Sequence, residues 1–248
     1  MSTNNRTGRK RDYVGVLSSV FAIVIGLLVG FVILLICNPS QALPGFVTIL
    51  TGAFTHGLKG VGQVFYYATP IILTGLSVGF AFKTGLFNIG TPGQFIVGAF
   101  AAVYVGIMWT GLGRIQWAVA LLAAILGGAL WGMVPGFLKA CFNVNEVIAS
   151  IMMNYIGMYM VNWIVKSYKP LFNNLRNESR NVAATAQIPK MGMDKLFPES
   201  SVGGGILLAI AAVLIIWVIL NKTTFGYELK AVGFNRDAGR YAGINEKR

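Results

Sequence analysis

The sequence predicts an all-α fold: a polytopic helical membrane protein with about six transmembrane segments. Three observations carry that prediction. The chain is 55% hydrophobic and only 11% charged, whereas a soluble domain carries about 25% charged residues. Its apolar residues gather into six runs, 14–37, 63–82, 95–110, 115–138, 147–165 and 203–220, most of them near the roughly 20 residues a helix needs to cross the hydrocarbon. None alternates with the two-residue period of a membrane barrel strand, and a helix satisfies its own backbone hydrogen bonds inside lipid.

The first run follows Arg6, Arg9, Lys10 and Arg11. It is longer than the roughly 7–15-residue core of a signal peptide, and no small-x-small cleavage site follows. It reads as a retained span behind a cytoplasmic basic tail, residues 1–13. The run 63–82 is an ordinary span. The run 95–110 is short, which fits a tilted span, a half-helix or the second part of a broken helix. In 115–138, Gly127-Gly128 and Gly132-Met133-Val134-Pro135-Gly136 are small residues of the kind that let helices pack closely in lipid. With the N-terminus inside and six crossings, inside segments carry twelve Lys/Arg and outside segments eight. The loop 166–202 opposes this weak positive-inside bias, holding Lys166, Lys169, Arg176, Arg180, Lys190 and Lys195.

The formal charge of +12 does not point to nucleic acid. The basic residues are spread between apolar runs and at both ends, as suits membrane interfaces and anionic headgroups. Cys37 and Cys141 lie singly at the edges of apolar runs and read as packing residues. His56 has no neighbouring Cys or carboxylate cluster, so no metal site is expected. No P-loop, G-x-S-x-G or H-E-x-x-H pattern occurs, so the chain is expected to be a non-enzyme that hydrolyses no ATP itself.

Three polar clusters break the apolar pattern. In Lys83–Gln94, three glycines and a proline weaken helix between two apolar runs. Backbone so exposed at membrane depth survives only beside protein or a water-filled cavity. Asn88, Thr91 and Gln94 then suit hydrogen bonding to a hydroxyl- or amide-bearing solute. A tight loop capped by Asn88 or Thr91 fits the same residues. In Asn143–Tyr155, Asn145 can cap the following helix, with Glu146 near its positive end. Equally, Glu146 and Asn154, about two helical turns apart, can form one polar stripe along a pathway. The third cluster, Thr223–Ile244, is polar and punctuated by glycine. Thr224–Gly233 extends the last span, Asn235 caps a short helix through about Tyr241, and Gly243 ends it.

These clusters resemble, in order, three motifs of ABC-importer permeases of the branched-chain amino acid, sugar and nucleoside family, most similar to the nucleoside type. Gly85-Leu86-Phe87-Asn88-Ile89-Gly90 through Gly93-Gln94 resembles one signature, with Thr91-Pro92 at a pair whose second position is often acidic. Asn145-Glu146-Val147-Ile148 through Met152-Met153-Asn154-Tyr155 resembles the second, with Met153 for a usual leucine. Thr223–Ile244 resembles the cytoplasmic coupling segment, with Gly239 where a second alanine is usual.

The resemblance, over about 60–244, implies an all-helical permease with a broken or re-entrant element and a cytoplasmic coupling helix. It divides the chain into the tail 1–13, a permease region 14–220 and a coupling segment 221–248, after which relatives continue with further spans. It implies a small polar solute, a nucleoside or related sugar, moved by alternating access across a bacterial plasma membrane. The implied partners are a cytoplasmic ABC ATPase, a second permease subunit and an extracytoplasmic substrate-binding lipoprotein. ATP and Mg2+ would belong to the ATPase and no cofactor to this chain. The pathway residues would be Asn88, Thr91, Gln94, Asn145, Glu146 and Asn154. The coupling residues would be Gly226, Lys230, Gly233, Asn235, Arg236, Ala238, Arg240, Tyr241 and Gly243. Two further classes fit the residues alone: an ion-coupled transporter or channel, and a scaffold assembled through its glycine-rich spans.

Overall fold

A computed structural model describes residues 7–244, with side-chain surroundings given for 13–235 and 239–244. The main elements are α1 (Thr7–Cys37), α2 (Pro39–Thr55), α3 (Gly57–Lys83), α4 (Thr91–Met108), α5 (Gln116–Phe142) and α6 (Glu146–Ser167), then the small α7 (Met193–Leu196), followed by α8 (Gly205–Lys222), α9 (Thr224–Phe234) and α10 (Arg236–Tyr241). A two-stranded antiparallel hairpin, β1 (Phe172–Asn173) with β2 (Glu178–Ser179), lies in the loop between α6 and α8. Among the described residues, six helical stretches are long and apolar enough to cross a membrane: Tyr13–Cys37, Gly57–Lys83, Thr91–Met108, Thr110–Phe142, Glu146–Ser167 and Gly205–Lys222. Each of the six predicted runs falls on one of them, apart from 109–110 and 203–204 at two run ends, and the molecule is a polytopic helical membrane protein. Its spans present their large apolar side chains outward, Val14 to Ile36 of α1 among them. Hydroxyls in the spans bond back to the preceding turn, as Ser18 does to Val14, Thr69 to Phe65 and Thr74 to Pro70. Each of these hydroxyls thus keeps a partner where the solvent is apolar.

The chain divides into two units between Val61 and Gly62, within α3. In the first, α1 and α2 form a hairpin about Asn38. The Phe31 and Phe46 rings meet across it at 4.8 Å between centroids. Helix α2 has no counterpart among the predicted runs. Pro39, Pro44, Gly45 and Gly52 dilute its apolar pattern, yet Pro39 stands at the first helical position, where proline is tolerated.

In the second unit α4 packs closely on α5. A Cβ on Gly98 would lie 2.9 Å from the Ala124 carbonyl oxygen, one on Gly127 would lie 3.0 Å from the Ala101 methyl, and one on Gly132 would lie 3.0 Å from the Gln94 amide nitrogen. The small face is therefore Gly127, Gly128 and Gly132. Gly136, the second glycine of the G-x-x-x-G pattern, faces open space and takes no part in this contact.

The 166–202 loop covers the end of this unit formed by the α3 and α5 N-termini and the α4 C-terminus. Gly62 meets Ser200 and Phe197, and the Ala183 amide donates to the Gly106 carbonyl at 3.0 Å. Gln116, fully buried, donates to the Val105 and Gly106 carbonyls at 3.2 Å each and accepts from the Thr185 hydroxyl at 2.5 Å. Each of those carbonyls keeps a backbone partner without it. Gln116→Leu is therefore expected to destabilise by only about 1–2 kcal/mol, mostly through the orphaned Thr185 hydroxyl, as read by thermal unfolding in detergent.

Candidate functional site

At the opposite end, α3 closes in a Schellman motif. Gly85 is left-handed (φ +76), its amide donates to Phe82 at 3.2 Å, and the Leu86 amide donates to Ala81 at 3.1 Å. The chain then runs non-helically to Gly90. The Asn88 side-chain oxygen accepts the Gly90 amide at 2.8 Å, and α4 opens at Thr91 with Pro92 in its first turn.

This segment is clamped by α6. The Asn154 amide donates to the Ile89 carbonyl at 2.9 Å and accepts from the Gly93 amide at 2.9 Å. It thereby satisfies one of the four amide donors that a helix start leaves open. Only glycine fits at 93, since a Cβ there would lie 2.8 Å from the Asn154 side-chain oxygen and 2.9 Å from its Cα. Buried Ser150 packs one turn earlier, beside Gly90. Asn154 lies about 12 Å along α6 from Glu146 at 1.5 Å per residue. The start of α4 therefore sits well inside the start of α6, and 85–90 is a re-entrant stretch that shortens α4.

The six candidate pathway residues separate. Asn88 gives its side-chain oxygen, and Asn154 both of its side-chain polar atoms, to backbone. Asn145 caps α6, accepting from the Val147 and Ile148 amides at 2.9 and 3.3 Å. Glu146 pairs with Lys139 of α5 at 3.0 Å. Glu146 and Asn154 do not form an open stripe, because Ser150 and Asn154 are covered by the 89–93 backbone. Two of the six residues make no side-chain hydrogen bond at all among the described residues. Thr91 is 6% exposed, and its hydroxyl has no hydrogen-bond partner. Half-buried Gln94 lies over Gly132 and Gly90, and its side-chain amide makes no hydrogen bond within the described residues.

Sequence reasoning missed Gln116, although a lone amide opening an apolar run is a readable signal. It also missed Trp131, whose indole donates to the Met153 carbonyl at 3.2 Å beside Gly157.

The third cluster does not extend α8. Thr223 is extended (φ −120, ψ 153) and caps a separate helix, accepting the Gly226 amide at 3.1 Å. Gly226 is buried where any side chain would collide with the Ile219 carbonyl and Leu220, so α9 folds back on the end of α8. Lys230 bonds the Asn221 side chain at 3.3 Å. A Cβ on Gly233 would lie 2.5 Å from the Lys83 carbonyl oxygen and 2.9 Å from the Gly85 amide nitrogen. Backbone thus rests on backbone between α9 and the turn that opens the re-entrant stretch.

Asn235 is extended between α9 and α10, and Gly243 (φ +78) closes α10, with the Ile244 amide donating to Gly239 at 3.1 Å. Gly239 is buried against Val232, where a Cβ would come within 3.1 Å of a valine methyl. Arg236 and Ala238 lie on α10, but their side chains fall outside the described residues. Arg240 is exposed, and Phe234 and Tyr241 are 87% and 94% exposed.

The family described as "Branched-chain amino acid transport system / permease component" matches residues 60–248. The chain is 40% identical to a guanosine ABC transporter permease of Bacillus subtilis, over 92% of this chain and 64% of the relative. It is 33% identical to a nucleoside ABC transporter permease of Lactococcus lactis, over 99% of this chain and 66% of the relative. A glucose ABC transporter permease of Haloferax volcanii is 32% identical, over 81% of this chain and 53% of the relative. The chain thus spans just under two thirds of the length of the first two relatives. No solved structure matches it. On the family match across five of its six candidate spans, the re-entrant stretch and the folded-back α9, the chain belongs to the branched-chain amino acid transport system permease component family.

Proposed function

We propose that this chain is a transmembrane permease subunit of a bacterial ATP-driven ABC importer for nucleosides or related sugars. The 40% identity to a guanosine permease over nearly the whole chain carries the reading. The geometry supports it. Thr91 and Gln94 hold unspent polar groups at a re-entrant helix start, the kind of feature that serves a neutral hydroxyl-bearing solute. The start of that stretch, Gly85, bears on Gly233, and its far end is tied to α6 through Asn154.

In this mechanism α9–α10, with exposed Phe234, Arg240 and Tyr241, docks on a cytoplasmic ATPase. Nucleotide-driven displacement of that helix pair moves the 83–85 turn, and through it the re-entrant stretch, between two arrangements of the spans. ATP and Mg2+ act in the ATPase, and this chain performs no covalent chemistry. A second permease subunit and a substrate-binding lipoprotein complete the assembly. The N-terminus is cytoplasmic, residues 14–220 form the permease region and 221–248 the coupling segment.

The test is uptake of labelled guanosine into vesicles holding the chain with its candidate partners, with and without internal ATP. ATP-dependent uptake, lost when 224–244 is replaced by a flexible linker, is the expected result. Uptake that follows an ion gradient and survives removal of ATP would establish the ion-coupled reading instead.

A further inference from the structure

The loop between α6 and α8 holds a feature that the transport reading leaves unused. A cavity of about 610 Å³ opens on the β1–β2 hairpin. Lys166, Lys169 and Arg180 line it together with Asn173, Asn174 and Asn181, and no carboxylate does. The hairpin holds this lining in place, because the Arg180 amide donates to the buried Leu171 carbonyl at 2.7 Å. The Arg180 side chain donates through Nε to the Phe172 carbonyl at 3.3 Å, which leaves the outer guanidinium nitrogens for a ligand. Lys166 and Lys169 have no salt bridge among the described residues. Glu178, the acid of the hairpin, is engaged by Arg176 at 3.7 Å.

The charge balance decides the ligand. The C-terminus of α6 contributes about half a negative charge, which Lys166 in its last turn offsets. Lys169 and Arg180 remain uncompensated around one cavity. A guanidinium fork, a flexible ammonium and amide donors fit the several oxygens and the charge of a phosphate. The cavity is also larger than inorganic phosphate requires, leaving room for an esterified group.

Its level matters too. Lys166 ends a 22-residue spanning helix, so the cavity lies where headgroup phosphates lie, and Leu175 at the hairpin tip is 98% exposed. We propose that the cavity bounded by Lys166, Lys169 and Arg180 is a phosphate-binding site, filled by an anionic lipid headgroup or by free phosphate. Such a site gives the basic residues of this loop a role that sidedness does not.

The test titrates the full chain in detergent with short-chain phosphatidylglycerol, with phosphatidylcholine of equal chain length and with inorganic phosphate. Native mass spectrometry reads the lipids and calorimetry reads phosphate. Phosphatidylglycerol is expected to bind about tenfold tighter than phosphatidylcholine. Combined Lys166→Gln, Lys169→Gln and Arg180→Gln should abolish that preference. Lys169→Gln alone, on an exposed turn, should weaken it about threefold, while Arg176→Gln, outside the lining, leaves it intact. Phosphate binding with the same mutational pattern and no lipid preference would assign the site to the free anion. If wild type and both lining variants behave alike toward every probe, the proposal is overturned.

Discussion

Replacing Asn154 by leucine is expected to destabilise the chain by about 2–5 kcal/mol and to abolish transport. The side chain holds two backbone groups at once, the Ile89 carbonyl and the Gly93 amide, each at 2.9 Å. Among the described residues no other hydrogen bond reaches either group, and Gly93 is buried and Ile89 half-buried. Each group left unsatisfied costs about 1–3 kcal/mol. Leucine keeps the branched side-chain skeleton of asparagine and is the bulkier residue, so the substitution opens no cavity. The comparison is Tyr155→Phe, one residue on and exposed, which should be neutral. Thermal unfolding in detergent checks the stability, and guanosine uptake checks the function. If the leucine variant unfolds with the wild type, Asn154 is not the clamp that holds the start of α4.

Substituting valine for Gly233 is expected to separate coupling from folding. The atoms its Cβ would meet, the Lys83 carbonyl oxygen at 2.5 Å and the Gly85 amide nitrogen and Thr84 carbonyl carbon at 2.9 Å, are all backbone and cannot rotate aside. The end of α9 must therefore move off the 83–85 turn. That contact lies at one end of the helices, so the spans should unfold at nearly the wild-type temperature and the ATPase should still be captured. Uptake should fall about tenfold or more, equivalent to a coupling loss of at least about 1.4 kcal/mol. Wild-type uptake in this variant would exclude the Gly85–Gly233 contact as the link between α9–α10 and the re-entrant stretch.

The spans were legible because apolar runs of membrane-crossing length have few other stable forms. Helix ends were legible where one residue type sets the local geometry: Asn145 as the α6 cap and Gly243 as the α10 stop. Helix α2 was not legible, since its prolines and glycines imitate a loop until α1 supplies a packing face. The separation of α9 from α8 was also hidden. Thr223 reads as an ordinary helix residue, and only contact with Ile219 and Leu220 shows why Gly226 must be glycine.

Sequence alone therefore determined the membrane-spanning helical class, the family resemblance and the order of the three polar clusters, because hydropathy and motif spacing are local properties of the chain. Tertiary structure alone decided how the cluster residues are used. It commits Asn88, Asn145, Glu146 and Asn154 to caps, a clamp and an ion pair, and leaves Thr91 and Gln94 with unspent polar atoms. It also joins Gly85 to Gly233 and gathers Lys166, Lys169 and Arg180 around one cavity. Which hydrogen bonds are already satisfied, and which charges converge, depends on partners distant in sequence, and only the packed chain brings those partners within reach.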